Sequence, residues 1–144
     1  MHLKLTNGEN PQHYSFVQLL ADNPELGPIT VMPRDVDLAK YEVYPYTMDP
    51  FPAYSEINQT VELGAFRQEN GFWVRGWVVV ALPDEDAARN ARAVRDAEIA
   101  TSDWTQVLDA PVDRAVWAAY RQALRDIPQQ VGFPHDIVWP VAPQ

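Results

Sequence analysis

His2, His13 and His135 are the chain's three histidines, and each could in principle exchange a proton near neutral pH. A histidine paired with a carboxylate can act as a general base, and His135 stands directly beside Asp136. Adjacent residues in an extended segment point apart, so the reading for His135 is a surface side chain. A three-histidine metal site would require all three to converge. One lies at the chain start, one ahead of a helical pattern and one near the carboxyl end. Ser15, Ser55 and Ser102 have no glycine-rich turn beside them to build an oxyanion hole. The acidic pairs Asp35/Asp37 and Asp84/Asp86 sit at helix starts, where capping accounts for them. There is no cysteine, which excludes thiolate nucleophiles, disulfides and zinc–thiolate sites. There is also no glycine-rich phosphate loop. No catalytic residue, cofactor or metal is predicted, and the chain does not read as an enzyme.

A second kind of chemistry, contact between proteins, is better supplied. Residues 102–144 hold three of the five tryptophans. Large aromatic residues and arginines dominate the energy of protein–protein contacts. Trp104, Trp117, Tyr120, Arg121 and Arg125 are therefore candidate partner-binding residues, followed by Phe133, Pro134, Trp139 and Pro140. The competing reading is that Trp104, Trp117 and Trp139 fill the core of a small helical unit, although some sixty residues offer little interior for them. A further aromatic group, Tyr41, Tyr44, Tyr46, Phe51 and Tyr54, lies between prolines. Core and turn packing explains it. With Trp73 it could also form a carbohydrate-binding surface.

The elements that position these residues fall into two parts, 1–83 and 84–144. In the first, Leu3-Lys4-Leu5 alternates and runs into Asn7-Gly8, a strand entering a turn. Ser15 and Gln18 have the spacing of a capping box. Phe16, Leu19 and Leu20 then share a helix face that Asn23-Pro24 ends. Pro33-Arg34-Asp35 opens a second short helix through Leu38 and Ala39. Tyr41 to Tyr44 reads as a strand stopped by Pro45. From Tyr54 to Leu63 the alternation is loose, with Ile57, Val61 and Leu63 on one side. Asn70-Gly71 marks a hairpin, because both residues tolerate positive φ. The run Phe72 to Leu82 is apolar on both faces except at Arg75, which predicts the most buried strand.

In the second part, Asp84, Glu85 and Asp86 favour a helix start through the macrodipole. That helix extends to about Ala100 with Val94 and Ile99 as its large apolar residues. So little apolar surface predicts a helix that projects, or one that self-associates along Ala87, Ala91, Val94 and Glu98. Asp113 caps a last helix, Arg114 to Ile127, whose Trp117, Tyr120, Leu124 and Ile127 form an apolar stripe. Pro128 ends it, and Phe133-Pro134, Trp139-Pro140 and Ala142-Pro143 predict an extended proline-rich tail. The fold class expected is α+β: a small β-rich N-terminal domain, then a two-helix C-terminal unit with that tail.

Composition narrows the partners. Hydrophobic residues make up 47% of the 144, enough for a modest core. The formal charge of −9 repels phosphate, which argues against nucleic acid as a partner. No apolar run approaches the roughly 18 residues that cross a bilayer. The first residues lack the basic and long apolar regions of a signal peptide, so the expectation is residence in the cytoplasm.

Five blocks in the second half also carry a family resemblance. They are Arg95-Asp96-Ala97-Glu98; Ser102-Asp103-Trp104-Thr105-Gln106; Asp109-Ala110-Pro111-Val112; Trp117 with Tyr120-Arg121-Gln122-Ala123-Leu124-Arg125-Asp126-Ile127-Pro128; and Gly132-Phe133-Pro134 with Trp139-Pro140. In order and spacing, residues 90–141 resemble the C-terminal domain of the phage tail assembly chaperones, also called tail fibre assembly proteins. Leu3 to Gly8 and Tyr41 to Pro45 resemble, more loosely, the leading region often attached to it. The chain departs from the pattern at Val107-Leu108, where Leu-Pro is common, and at His135. The resemblance implies a protein that assists folding, trimerisation or attachment of a phage tail fibre protein in the host cytoplasm. A rival role is a structural adaptor at the fibre or baseplate, retained in the virion tail.

Overall fold

A computed structural model describes residues 1–28, 31 and 33–144. The chain divides into two compact units, Met1–Pro52 with Glu62–Val78, and Ala53–Val61 with Val79–Gln144. The architecture is α+β, and the five strands of the described residues lie within the first eighty-one positions.

Strands β1 (His2–Thr6) and β2 (Glu9–Tyr14) pair antiparallel through a turn with Asn7 at φ 53° and Gly8 at φ 77°. β2 carries Pro11 and alternates poorly, so periodicity alone does not mark it. Helix α1 (Phe16–Asp22) follows with the expected box: Gln18 N–H donates to Ser15 Oγ, and Ser15 N–H donates to Gln18 Oε1. Asn23 ends it, with both its backbone N–H and its side-chain amide on the Leu19 carbonyl. The short helix α2 (Asp35–Leu38) runs on as a 3-10 turn, Ala39–Tyr41, closed by Glu42 at φ 57°. Strand β3 (Val43–Met48) comes next, then β4 (Gln59–Glu69) and β5 (Phe72–Ala81), joined at Asn70-Gly71 with φ 50° and 83°. The sheet order is β2-β1-β3-β5-β4, with β3 and β5 parallel.

Pro45 does not stop β3, contrary to the sequence expectation. Leu5 N–H donates to the Glu42 carbonyl and Tyr46 N–H to that of Met1, so the even-numbered residues of β3 bond towards β1. The nitrogen of Pro45 faces the other side, just before the β3–β5 ladder opens at Tyr46 opposite Trp73. No ladder bond is lost there.

Register sorts the core of the first unit onto two faces. Tyr14 and Val43 share one face, where Leu19 of α1 and Leu38 of α2 pack on them. Leu3, Leu5 and Tyr46 lie on the other, with Phe66 and Trp73 against them. The expectation that Phe72 to Leu82 is the most buried strand is wrong. Within β5 only Gly76 is buried, while Phe72 is 72% and Val78 48% exposed. Apolar side chains on both faces promise burial only where something covers both faces.

In the second unit, helices α3 (Asp84–Thr101) and α4 (Arg114–Asp126) flank a 3-10 turn, Asp103–Gln106. α3 does not project. Ala87, Ala88 and Ala91 are buried, and Ile99 packs on Tyr120, Leu124 and Ile127 of the α4 side. Small side chains let neighbouring backbone approach closely, so a helix poor in large apolar residues can still be a core helix. Asp113 caps α4 by accepting from Ala115 N–H and Val116 N–H. α4 stops one residue earlier than predicted, because Ile127–Gln129 tightens into a 3-10 turn containing Pro128.

Candidate partner-binding surface

The stripe predicted on α4 exists. Tyr120, Leu124 and Ile127 are buried together, and Trp117, Phe133, Ile137 and Trp139 pack around them. The segment after α4 returns to that cluster through turns at 131–135 and is not extended there. Gln130 holds the return from both sides: its Nε2 donates to the Val138 carbonyl at 2.9 Å and its Oε1 accepts from Val138 N–H at 2.8 Å. Asp136 N–H donates to the Gly132 carbonyl at 2.7 Å. A Cβ on Gly132 would collide with the Asp136 carbonyl oxygen, so the turn requires glycine by close approach. Arg92 of α3 lies 5.3 Å from the Phe133 ring centroid, a cation–π distance.

Arg121 and Tyr120 are taken up inside this unit. Arg121 is buried; its Nη1 donates to the Ile99 carbonyl at 2.6 Å and to Ser102 Oγ at 2.8 Å, and its Nη2 donates to Asp103 Oδ1 at 2.6 Å. Ser102 Oγ donates in turn to the Glu98 and Ile99 carbonyls, and buried Thr105 Oγ1 donates to the Ser102 carbonyl. These groups satisfy carbonyls left open at the end of α3, and a cation there suits the helix dipole. The block Ser102 to Gln106 is thus largely a latch joining α3 to α4. Tyr120 is buried as well, with its hydroxyl donating to Glu98 Oε2 at 3.0 Å. Burial, with the hydrogen bond to Glu98 adding to it, raises the phenol's pKa above 10.0.

Trp104 and Arg125 are on the outside. The Trp104 side chain is 51% exposed and its ring tilts against Trp117 with centroids 6.1 Å apart. Trp117 meets Tyr120 edge-on at 5.7 Å. An aromatic row therefore runs from the buried Tyr120 through half-buried Trp117 to exposed Trp104. Val107, Leu108 and Val116 are exposed apolar residues close to it in sequence. Phe133, Pro134, Trp139 and Pro140 are each partly exposed.

His135 does not pair with Asp136. Its Nε2 lies 2.9 Å from Asp84 Oδ1, and its carbonyl accepts from Asn58 Nδ2. Asn90 of α3 likewise donates to the Ile57 carbonyl. Sequence reasoning missed Asn58 and Asn90, single amides that carry no motif. Along the stripe on α3, Ala87 and Ala91 are buried and Glu98 accepts from Tyr120, while Val94 stays exposed. Val94, Glu98, Tyr120, Leu124, Trp139 and Pro140 border a mainly apolar cavity of about 380 Å³. Among the described residues no three His, Asp or Glu side chains gather as metal ligands, and no helix is long and apolar enough to cross a membrane.

Neither a curated protein nor a solved structure gives a match to the chain. Residues 88–144 match the family model described as phage tail assembly chaperone protein, the family that this part of the sequence resembles.

Proposed function

We infer that the protein is a tail fibre assembly chaperone: it binds a phage tail fibre protein and assists its folding, trimerisation or attachment without catalysing a reaction. The family match supports a role in tail assembly, and the exposed end of the aromatic row supports a protein partner. A fibre protein exposes apolar strand edges and subunit seams before it assembles, and such surfaces aggregate. Trp104, backed by Trp117, offers a rigid aromatic anchor of the kind that dominates binding energy. Arg125, on the exposed side of the last turn of α4, adds a guanidinium that the fold itself does not bury. Beyond Trp139 the chain has no regular structure, and Pro140 and Pro143 stiffen it into an arm that loses little entropy on docking. In this reading residues 1–83 and 84–144 act as separate functional parts, and the work takes place in the host cytoplasm.

Within this assignment Tyr120 and Arg121 act as braces rather than anchors, because burial withholds them from a partner. The single observation that carries the reading is the half-exposed Trp104 ring tilted against Trp117. Co-expression of the tail fibre protein with a Trp104→Ala/Arg125→Ala variant is the test. The expected result is a lower yield of soluble fibre trimer, while the variant itself stays folded. Both changes lie at exposed positions, so its own stability is expected to fall by only about 1 kcal/mol. An unchanged trimer yield with a folded variant rejects this surface. Mass spectrometry of purified virions then tells a departing chaperone from an adaptor that stays at stoichiometric level.

A further inference from the structure

The first unit carries a cationic site on the Tyr46 face of its sheet that the assembly role does not use. Tyr46 stands opposite Trp73 in the β3–β5 ladder and Met48 opposite Arg75, so Arg75 shares the face of Tyr46 and Met48. Leu3 stands opposite His13, which places His13 on that face as well. Arg75 and His13 both border a cavity of about 590 Å³ with Phe66 and Gly64. They also border a more apolar cavity of about 550 Å³ with Tyr46, Met48 and Trp77.

Both side chains are held before any ligand arrives. The Arg75 guanidinium lies 4.6 Å from the Phe66 ring centroid, and its Nε donates to the Gly64 carbonyl at 3.1 Å. Phe66 is itself held edge-on by Tyr46 at 4.9 Å. Among the described residues, nothing accepts from the two Nη groups of Arg75 and no carboxylate pairs with it. Its neighbour Arg67 differs: it is bonded to Asp49 through both Nη groups and to Glu69 through Nε. In a chain with 20 acidic residues against 11 basic ones, a half-buried arginine held without a carboxylate offers its donor fork to one. His13 Nδ1 lies 2.9 Å from the Tyr46 hydroxyl. A hydroxyl donating to Nδ1 leaves the proton on Nε2, so even the neutral imidazole has a donor to offer.

We propose that Arg75 and His13 form a binding site for a carboxylate whose apolar neighbouring groups occupy the trough beside Tyr46, Met48 and Trp77. The fork of Arg75 takes the carboxylate, and His13 Nε2 adds a third donor. The apolar lining favours an acidic residue of a polypeptide flanked by apolar side chains, and a uronic acid of a glycan is the alternative that the test separates. The test is a titration of the isotope-labelled full chain, followed by NMR signals of the Arg75 side chain and the His13 ring. The probes are acetyl-Leu-Glu-Leu-amide, its Gln counterpart and glucuronate, with sodium chloride at matched ionic strength as control.

Saturable shifts with the Glu peptide but not the Gln peptide support the site and assign its ligand to polypeptide. Saturation with glucuronate alone overturns the polypeptide assignment and points to a glycan. His13→Gln, which leaves the Arg75–Phe66 packing in place, is expected to weaken binding about tenfold. Arg75→Gln is expected to abolish it. Shifts no larger than those from sodium chloride, or equal responses to both peptides without glucuronate binding, overturn the proposal. So does a His13→Gln variant that binds as tightly as the parent.

Discussion

Arg121 in the middle of α4 donates from Nη2 to Asp103 Oδ1 at 2.6 Å, while its other terminal nitrogen bonds to the Ile99 carbonyl and Ser102 Oγ. The two ends of this pair live in different environments. The Arg121 side chain is 9% exposed and that of Asp103 67%. Removing the arginine deletes three hydrogen bonds of a buried side chain and opens a space in the interior, although the Ile99 carbonyl keeps its bonds from Ser102. Arg121→Ala is therefore expected to cost about 2–4 kcal/mol. Removing the carboxylate lets water take its place, so Asp103→Ala is expected to cost about 1 kcal/mol or less. Arg121→Lys recovers little, because an ammonium cannot bridge three acceptors held by a planar fork. Urea unfolding of the three variants checks this order. Equal losses from Arg121→Ala and Asp103→Ala would show that the exposed ion pair, not the buried carbonyl bonds, is the important part.

Gly132 is a second point where the C-terminal unit has no slack. Its backbone is not in the left-handed region, but a Cβ there would meet Asp136 backbone and side-chain atoms. Gly132→Ala must push residues 132–136 apart, weakening the Asp136 N–H to Gly132 carbonyl bond and the seating of Phe133 and Ile137. The expected cost is about 1–3 kcal/mol, typical of overpacking. Hydrogen exchange localises it: protection should fall at Asp136 and Val138 N–H and stay unchanged in β1 and β3. An alanine variant with parental stability and protection would contradict the close approach.

Features legible in the sequence share one property: their partners are a few residues away. Ser15 and Gln18, Asp113 with Ala115, Asn70-Gly71, and the Trp117–Tyr120–Leu124–Ile127 stripe each follow from local geometry. What was misread depends on distant partners. Pro45 is harmless because the β1 and β5 ladders meet it on chosen sides. Phe72 and Val78 are exposed although their strand is apolar on both faces. Ala87 and Ala91 are core residues although neither is a large apolar side chain. The candidate surface split on the same line. Aromatic and arginine content marks this stretch as a candidate, yet spacing alone cannot tell Arg121, which turns inward to Ser102, from Arg125, which is exposed.

Acid sensitivity of the first unit follows from two aspartates. Tyr14 donates to Asp22 Oδ2 at 2.7 Å and Lys4 approaches the same oxygen at 3.3 Å. The hydrogen bond from Tyr14, then that from Lys4, holds the Asp22 carboxyl below its ordinary value of 3.8. Two hydrogen bonds from Arg67 lower Asp49 in the same sense. For both groups the folded chain binds its proton less readily than the unfolded chain. Their contribution is thus complete above about pH 4 and is lost as pH falls through the depressed folded values. Urea midpoints are expected to drop on acidification below pH 4. In Asp22→Asn and Asp49→Asn variants the midpoint should be lower at pH 7 and should vary less between pH 4 and pH 2. A parental acid slope in the double variant would place the sensitivity elsewhere. High salt separates the causes further: the Tyr14–Asp22 bond involves a neutral donor and should resist screening, while the Lys4 contribution should fade.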